Sequence, residues 1–145
     1  MNEPLPDRDH VSRYCKPSTV GERGQPMASA FAIRPGEGYL SVNWLEHFGV
    51  PVGEPRGTEA AVNRVRETLR GKGFRLRSNG RFALLNVGTV KTTIRRTCRR
   101  SLQINHLPLP DDASHAGILG YTQRDRMIAA EIKASVRAED VRSAV

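Results

Sequence analysis

The stretch FRLRSNGRFALLNV, residues 74–87, carries the strongest local folding signal in this sequence. Asn79-Gly80 stands between two runs in which apolar residues recur, and Asn-Gly is the dipeptide that a two-residue type I′ turn prefers. The pattern therefore predicts a β-hairpin with one strand over 73–78 and a second over 81–87.

The predicted hairpin has an apolar face and a basic face. Pairing across a two-residue turn places Phe74 and Leu76 toward the core, because directly opposed residues share a face of the sheet. Arg75 and Arg77 then lie with Phe82 on the other face, which could hold a phosphate chain with a base stacked on the ring. The alternative is that a helix buries Phe82 and the arginines form a solvated rim.

The flanking sequence predicts an α+β protein. Thr58 is a suitable N-cap, and Val62, Val65 and Leu69 form an apolar stripe at helical spacing. In 89–99 a spacing of four between apolar residues favours a helix, although its threonines also suit a strand. We expect a mainly antiparallel sheet of about five strands with two to three packed helices. The predicted strands are 28–34, 39–44, 73–78, 81–87 and 101–106, and the predicted helices are 59–70, 89–99 and 125–137.

The length and composition suit one globular domain. A chain of 145 residues with 38% hydrophobic residues can bury one core without staples. We expect a single domain over 1–145, with flexible ends at 1–8 and 138–145 and a loop over 108–120.

The positive charge is concentrated in one central segment. The whole chain has a net charge of +8, yet residues 64–100 alone carry +11, since Glu67 is their only acid. Arginine predominates there, and its planar guanidinium pairs well with phosphate. We therefore predict binding of nucleic acid, either RNA or single-stranded DNA. The other interpretations are a solvated basic face and an acidic protein partner. The predicted nucleic-acid-binding residues are Arg75, Arg77, Phe82, Lys91, Arg95, Arg96, Arg99 and Arg100.

Several classes of protein are disfavoured by absent patterns. No apolar run approaches the ~20 residues that cross a bilayer, and no secretory signal opens the chain, so no membrane partner is expected. Cys15 and Cys98 are best interpreted as reduced thiols of a cytoplasmic protein. The sequence has no Walker loop, GxGxxG, CxxC, HExxH or GxSxG motif, and no cofactor or metal site is expected.

A second set of residues suits acid–base chemistry. His10 and Arg13 stand in HVSRYCK, Glu46 follows the only tryptophan, and His115 lies in a glycine-containing run. If the protein is a small transferase or hydrolase acting on a nucleotide or RNA phosphate, the two histidines would be acid and base. Arg13 would be the clamp and Glu46 the orienting acid, and all four must then surround one pocket. Otherwise each is an ordinary loop or surface residue.

Four runs in order carry a resemblance to a known group of proteins. The runs HVSRYCKPS, AFAIRPGEGYLSVNWLE, GRFALLNVG and DDASHAGILG, within residues 9–120, resemble a family of small bacterial proteins without an assigned activity. SVNWLE is the most distinctive part. The resemblance implies a bacterial, cytoplasmic, single-domain protein, and such a family could supply an accessory subunit of a defence or mobile-element system. The nucleic-acid, enzyme and regulatory protein-interaction hypotheses all stay open at this point.

Overall fold

A computed structural model describes residues 2–145, and its centre is one antiparallel sheet of six strands. The strand order is β4-β5-β2-β1-β3-β6, with every neighbouring pair antiparallel. The strands are β1 His10–Cys15, β2 Leu40–Trp44, β3 Arg81–Asn86, β4 Gln103–His106, β5 His115–Leu119 and β6 Val141–Ser143. The helices of the described residues are α1 Pro55–Gly71, α2 Val87–Cys98 and α3 Arg126–Ala134. The predicted α+β class is confirmed, with one strand more than expected.

The sheet is covered unequally on its two faces. Helices α2 and α3 pack with the 3₁₀ helix Ala28–Phe31 over one face and bury the larger apolar cluster. Helix α1 packs on the other face, where its apolar stripe meets Phe82 and Leu84 of β3. This second face of the sheet is here called the α1 face. Helix α1 covers it at β3, whereas β2 and β5, farther along the sheet, place polar residues on it.

Helix α1 forms where the sequence predicted it and is longer than expected. Pro55 stands at its first turn, where a missing N–H costs nothing. Val62, Val65 and Leu69 are buried, and each such side chain contributes about 1.5–3 kcal/mol by leaving water. The helix is followed by Gly73 at φ 91°, a backbone conformation that favours glycine.

The predicted hairpin is wrong. Residues 73–80 form no strand, and Gly80 does not have the positive φ that a type I′ turn requires. Both edges of β3 are occupied by distant strands, β1 on one side and β6 on the other. Strand β3 pairs with β1 over six residues, and its side chains are buried in one apolar cluster on each face of the sheet. These long-range contacts outweigh the local turn preference. Phe74, expected in the core, is 49% exposed.

Other differences also come from long-range contacts. The segment predicted as a strand at 28–34 is instead a 3₁₀ helix over Ala28–Phe31, whose carbonyls accept hydrogen bonds from the side chains of Arg13 and Tyr121. Strand β1 was not predicted, β5 lies within the expected loop, and β6 lies within the expected flexible end. The remaining predicted strands and helices correspond to β2, β3, β4, α2 and α3, with shifted ends.

Candidate functional site

A cleft of about 760 Å³ opens where β1 ends and β2 begins. One wall is the end of α1 with residues 72–75, and the other is the segment 29–37. Ser41, which is partly exposed, and Asn43, which is buried, also line it from the α1 face. Five basic residues line the cleft against two acids: Arg13, Lys16, Arg34, Lys72 and Arg75 against Glu37 and Asp112.

Arg13 is held rigidly by neutral partners. Its Nε donates to the carbonyl of Ala30 at 2.8 Å, and its Nη1 donates to the carbonyl of Ser41 at 2.9 Å. Burial lowers the pKa of the Arg13 guanidinium, which means that the protein destabilises this charge. No carboxylate among residues 2–145 forms an ion pair with Arg13. An anion in the cleft would offset the cost of holding this cation out of water.

The two charges at the base of the cleft neutralise each other. Lys72 Nζ lies 3.0 Å from Asp112 Oδ2, and the Asp112 side chain is fully buried. Asn43 Nδ2 donates to both carboxylate oxygens, at 2.9 and 3.1 Å, and the Ser114 hydroxyl donates at 3.2 Å. Because this network satisfies Asp112 internally, the carboxylate does not offset the other cations of the cleft.

Three further cations of the cleft have no acidic partner within the described chain. Lys16, Arg34 and Arg75 are exposed and form no ion pair. Together with Arg13 they outnumber Glu37, so the cleft has a net positive charge. Such a cleft concentrates anions and speeds their association.

An aromatic ring stands at the rim. Phe74 lines the cleft and is 49% exposed, with Lys72 Nζ 5.6 Å from the ring centroid. A large exposed ring beside cations is the arrangement on which nucleobases stack.

Ser41 and His115 are joined on the α1 face. Ser41 Oγ lies 2.7 Å from His115 Nε2, and His115 Nδ1 lies 2.7 Å from the carbonyl of Leu107. A carbonyl can only accept, so Nδ1 carries a proton, and in the neutral tautomer with this proton Nε2 can accept the Ser41 hydroxyl. The Tyr39 ring packs edge-on against the imidazole, with centroids 5.6 Å apart.

The four predicted catalytic residues make two separate sets of contacts. His10 Nδ1 lies 2.6 Å from Glu46 Oε2, a partner that raises the pKa of His10, while Arg13 and His115 each contact Ser41. Three residues along a strand span about 10 Å and reverse the face, which separates His10 from Arg13. The contacts thus join His10 to Glu46 and link Arg13 and His115 through Ser41, and a single acid–base site built from all four residues stays a prediction.

The basic segment is divided by the fold. Lys91 pairs with Asp7 at 2.8 Å, and Arg100 pairs with Asp125 at 3.2 Å, so each of these two cations has an acidic partner. The backbone N–H of Thr122 and then Arg100 lower the pKa of Asp125. The other arginines of the segment are exposed and lie on two elements that pack on different faces of the sheet. Arg95 and Arg96 are in α2, with Arg99 at its C-cap, whereas Arg75 and Arg77 are in residues 73–80.

Phe82 is not available to a nucleic acid. Its side chain is 0% exposed and packs beneath α1, with the Tyr14 ring centroid at 5.5 Å. The prediction that Phe82 stacks on a base is wrong, because the face expected to be basic is the one that α1 covers. Phe74, which the hairpin register placed in the core, is the exposed ring instead.

Sequence reasoning missed most of the polar network of the cleft. Ser41 and Asn43 are the polar positions of the alternating run LSVNW, and Asp112 and Ser114 stand in DDASH. Alternation marks Ser41 and Asn43 as sharing one face of β2. No local signal indicates that these residues meet Lys72 and His115, because the contacts span 40 to 74 positions.

The cysteines take no part in the cleft. Both are free, and burial raises the pKa of Cys15 to about 11, so its thiol stays protonated. Residues 2–145 contain no group of three or more potential metal ligands. Within the same residues, no helix combines the length and apolarity needed to cross a membrane.

Comparison with family models, with curated proteins and with solved structures found no match.

Proposed function

We propose that this protein binds single-stranded nucleic acid, with the strand held in the cleft between α1 and β2. The observation that carries the proposal is the set of cations without acidic partners that line this cleft, above all the fixed guanidinium of Arg13. A protein that keeps a partly buried charge without a counter-ion gains stability when an anion arrives.

The size and lining of the cleft fit a nucleotide unit. Pockets for small ligands measure roughly 300–1,000 Å³, and this one is about 760 Å³. Lys16, Arg34 and Arg75 can contact phosphates, and Phe74 offers a ring to a base. Charge along a groove with an aromatic platform is typical of binding that tolerates many base sequences.

The arginines of α2 are the competing surface. Arg95 and Arg96 are exposed, but α2 packs on the opposite face of the sheet from α1. Neither side chain lines the cleft that contains Arg13, and we assign the two arginines a minor, non-specific contribution. Of the cleft cations, only Lys72 and Arg75 come from the basic segment 64–100 that also contains the α2 arginines.

Fluorescence anisotropy with a labelled oligouridine tests the proposal. Replacing Lys16, Arg34 and Arg75 together by glutamine should weaken binding and flatten the log–log salt slope by about two units, at about 0.7 per phosphate contact. The matched control is the replacement of Arg95, Arg96 and Arg99 by glutamine, which removes the same charge from the α2 region.

Two results would count against the proposal. Absence of binding by the wild-type protein at about 50 mM salt, where phosphate contacts are strong, would refute nucleic-acid binding. An equal loss of affinity in the two triple variants would show that net charge, and not the cleft, determines binding.

A further inference from the structure

Ser41 and His115 stand in the relation of a nucleophile and its base. Ser41 is partly exposed and lines the cleft, whereas His115 is 2% exposed and lies behind it. The carbonyl of Leu107 fixes a proton on Nδ1, so the neutral imidazole has its Nε2 lone pair directed at the Ser41 hydroxyl. In hydrolases a third group orients the imidazole in the same way, and here a backbone carbonyl does so.

The backbone of Ser41 is also fixed. Arg13 Nη1 donates to its carbonyl at 2.9 Å, and the strand is interior to the sheet, paired with β1 and β5. The nucleophile thus stands on an interior strand, and its base is held by a second hydrogen bond and by the Tyr39 ring, so the pair is fixed in one orientation.

We propose that Ser41 is the nucleophile of an acyl-transfer activity, acting on a carboxylic ester whose other part carries phosphate. The inference rests on the proposed function, because the cationic cleft is what would hold the anionic part of this substrate. Ser41 Oγ bonds to the carbonyl carbon, and its proton passes to His115 Nε2. The ester C–O bond then breaks, and the same proton passes to the departing alkoxide. Water then gives a proton to His115 Nε2 as its oxygen bonds to the acyl carbon. The bond from that carbon to Ser41 Oγ breaks, the proton passes from His115 to Oγ, and the carboxylic acid leaves.

The presence of one imidazole favours acyl over phosphoryl transfer. In a phosphoryl displacement the leaving oxygen departs in line with the nucleophile on the far side of phosphorus, so a second acid must stand there. A tetrahedral acyl intermediate lets one imidazole take and return the proton. The other described histidines are engaged elsewhere: His10 pairs with Glu46, and His47 and His106 pack around Trp44.

A fluorophosphonate probe tests the activated serine directly. Attack forms a P–O bond to Ser41 and breaks the P–F bond, fluoride leaves as an anion, and the proton stays on His115. Intact-mass and peptide mass spectrometry of the wild-type protein should show one adduct, on Ser41. Ser41→Ala should abolish it, and His115→Gln should slow it by about 10²-fold or more, the usual loss on removing a general base.

Ser29→Ala is the matched control, since Ser29 is an exposed serine of the same cleft without a histidine partner. It should label at the wild-type rate. An adduct that survives Ser41→Ala, or no adduct on the folded wild-type protein, would overturn the proposal. Because Ser41→Ala and Ser29→Ala carry this decision, it stands even if His115→Gln does not fold.

Oligouridine binding by the Ser41→Ala protein separates the two proposals. If the wild-type protein forms no fluorophosphonate adduct but the Ser41→Ala protein still binds oligouridine, the acyl-transfer proposal fails and the binding function stands. If the wild-type protein is labelled at Ser41 but does not bind oligouridine, the proposed binding function fails. The phosphate-bearing class of substrate fails with it.

Discussion

Replacing Lys72 by methionine removes the cation of the buried Asp112 carboxylate while keeping much of the side-chain volume. Breaking a buried ion pair by removing one partner costs about 3–5 kcal/mol, because the remaining charge stays out of water. Asp112 keeps its hydrogen bonds from Asn43 and Ser114, and the Lys72 side chain is 14% exposed, so water can reach the vacated position. We therefore expect the lower end, about 3 kcal/mol.

Chemical and thermal unfolding measure this loss. At about 2–4 °C per kcal/mol for a protein of this size, Tm should fall by about 6–12 °C. Lys91→Met is the control, because its partner Asp7 is 70% exposed and such surface pairs contribute about 0–1 kcal/mol. The double variant Lys72→Met/Asp112→Asn should be more stable than Lys72→Met alone. A loss below about 1 kcal/mol, equal to that of the control, would refute the account of the buried network.

Three further predictions follow from single contacts. Phe74→Ala should weaken oligonucleotide binding by about 1–3 kcal/mol in a titration, with little change in Tm. Phe82→Ala should instead lower the free energy of unfolding by about 3–5 kcal/mol, as measured by chemical unfolding. The pKa of His10 is raised in the folded protein, so the stability that Glu46 confers should be fully present below about pH 6.5 and lost as pH rises through the folded His10 pKa. A Tm difference between the wild-type protein and Glu46→Gln that grows from pH 6 to 9 would contradict this. Arg99 caps α2 at φ 53°, so Arg99→Gly should stabilise the protein by about 0.5–1 kcal/mol in urea unfolding, and a destabilised variant would contradict the strain argument.

Elements with a periodic apolar pattern could be predicted from the sequence. The stripe of Val62, Val65 and Leu69 predicted α1, because burial of one face of a helix leaves its spacing in the sequence. Residues 74–80 show the limit of local reasoning. Asn79-Gly80 favours a turn, yet the hydrogen bonds of β3 go to strands near the two ends of the chain.

The candidate site was predictable only in part. Arg13 and His115 were selected for their chemistry, and both contact Ser41, which no local pattern marked as a nucleophile. Their proposed partners His10 and Glu46 pair with each other instead. Charge counting indicated a polyanion, but it could not show which cations a distant acid neutralises, as Asp125 does for Arg100.

Crosslinking tests the central claim most directly. An oligouridine carrying 4-thiouridine, bound at low salt and irradiated, joins to the residues that contact its bases, and peptide mass spectrometry then identifies them. We predict crosslinks to Phe74 and Tyr14, the two aromatic residues that line the cleft. Crosslinks confined to residues 95–99, at the end and C-cap of α2, would contradict the proposal that the strand lies between α1 and β2. No crosslink at all with bound oligonucleotide would also contradict it.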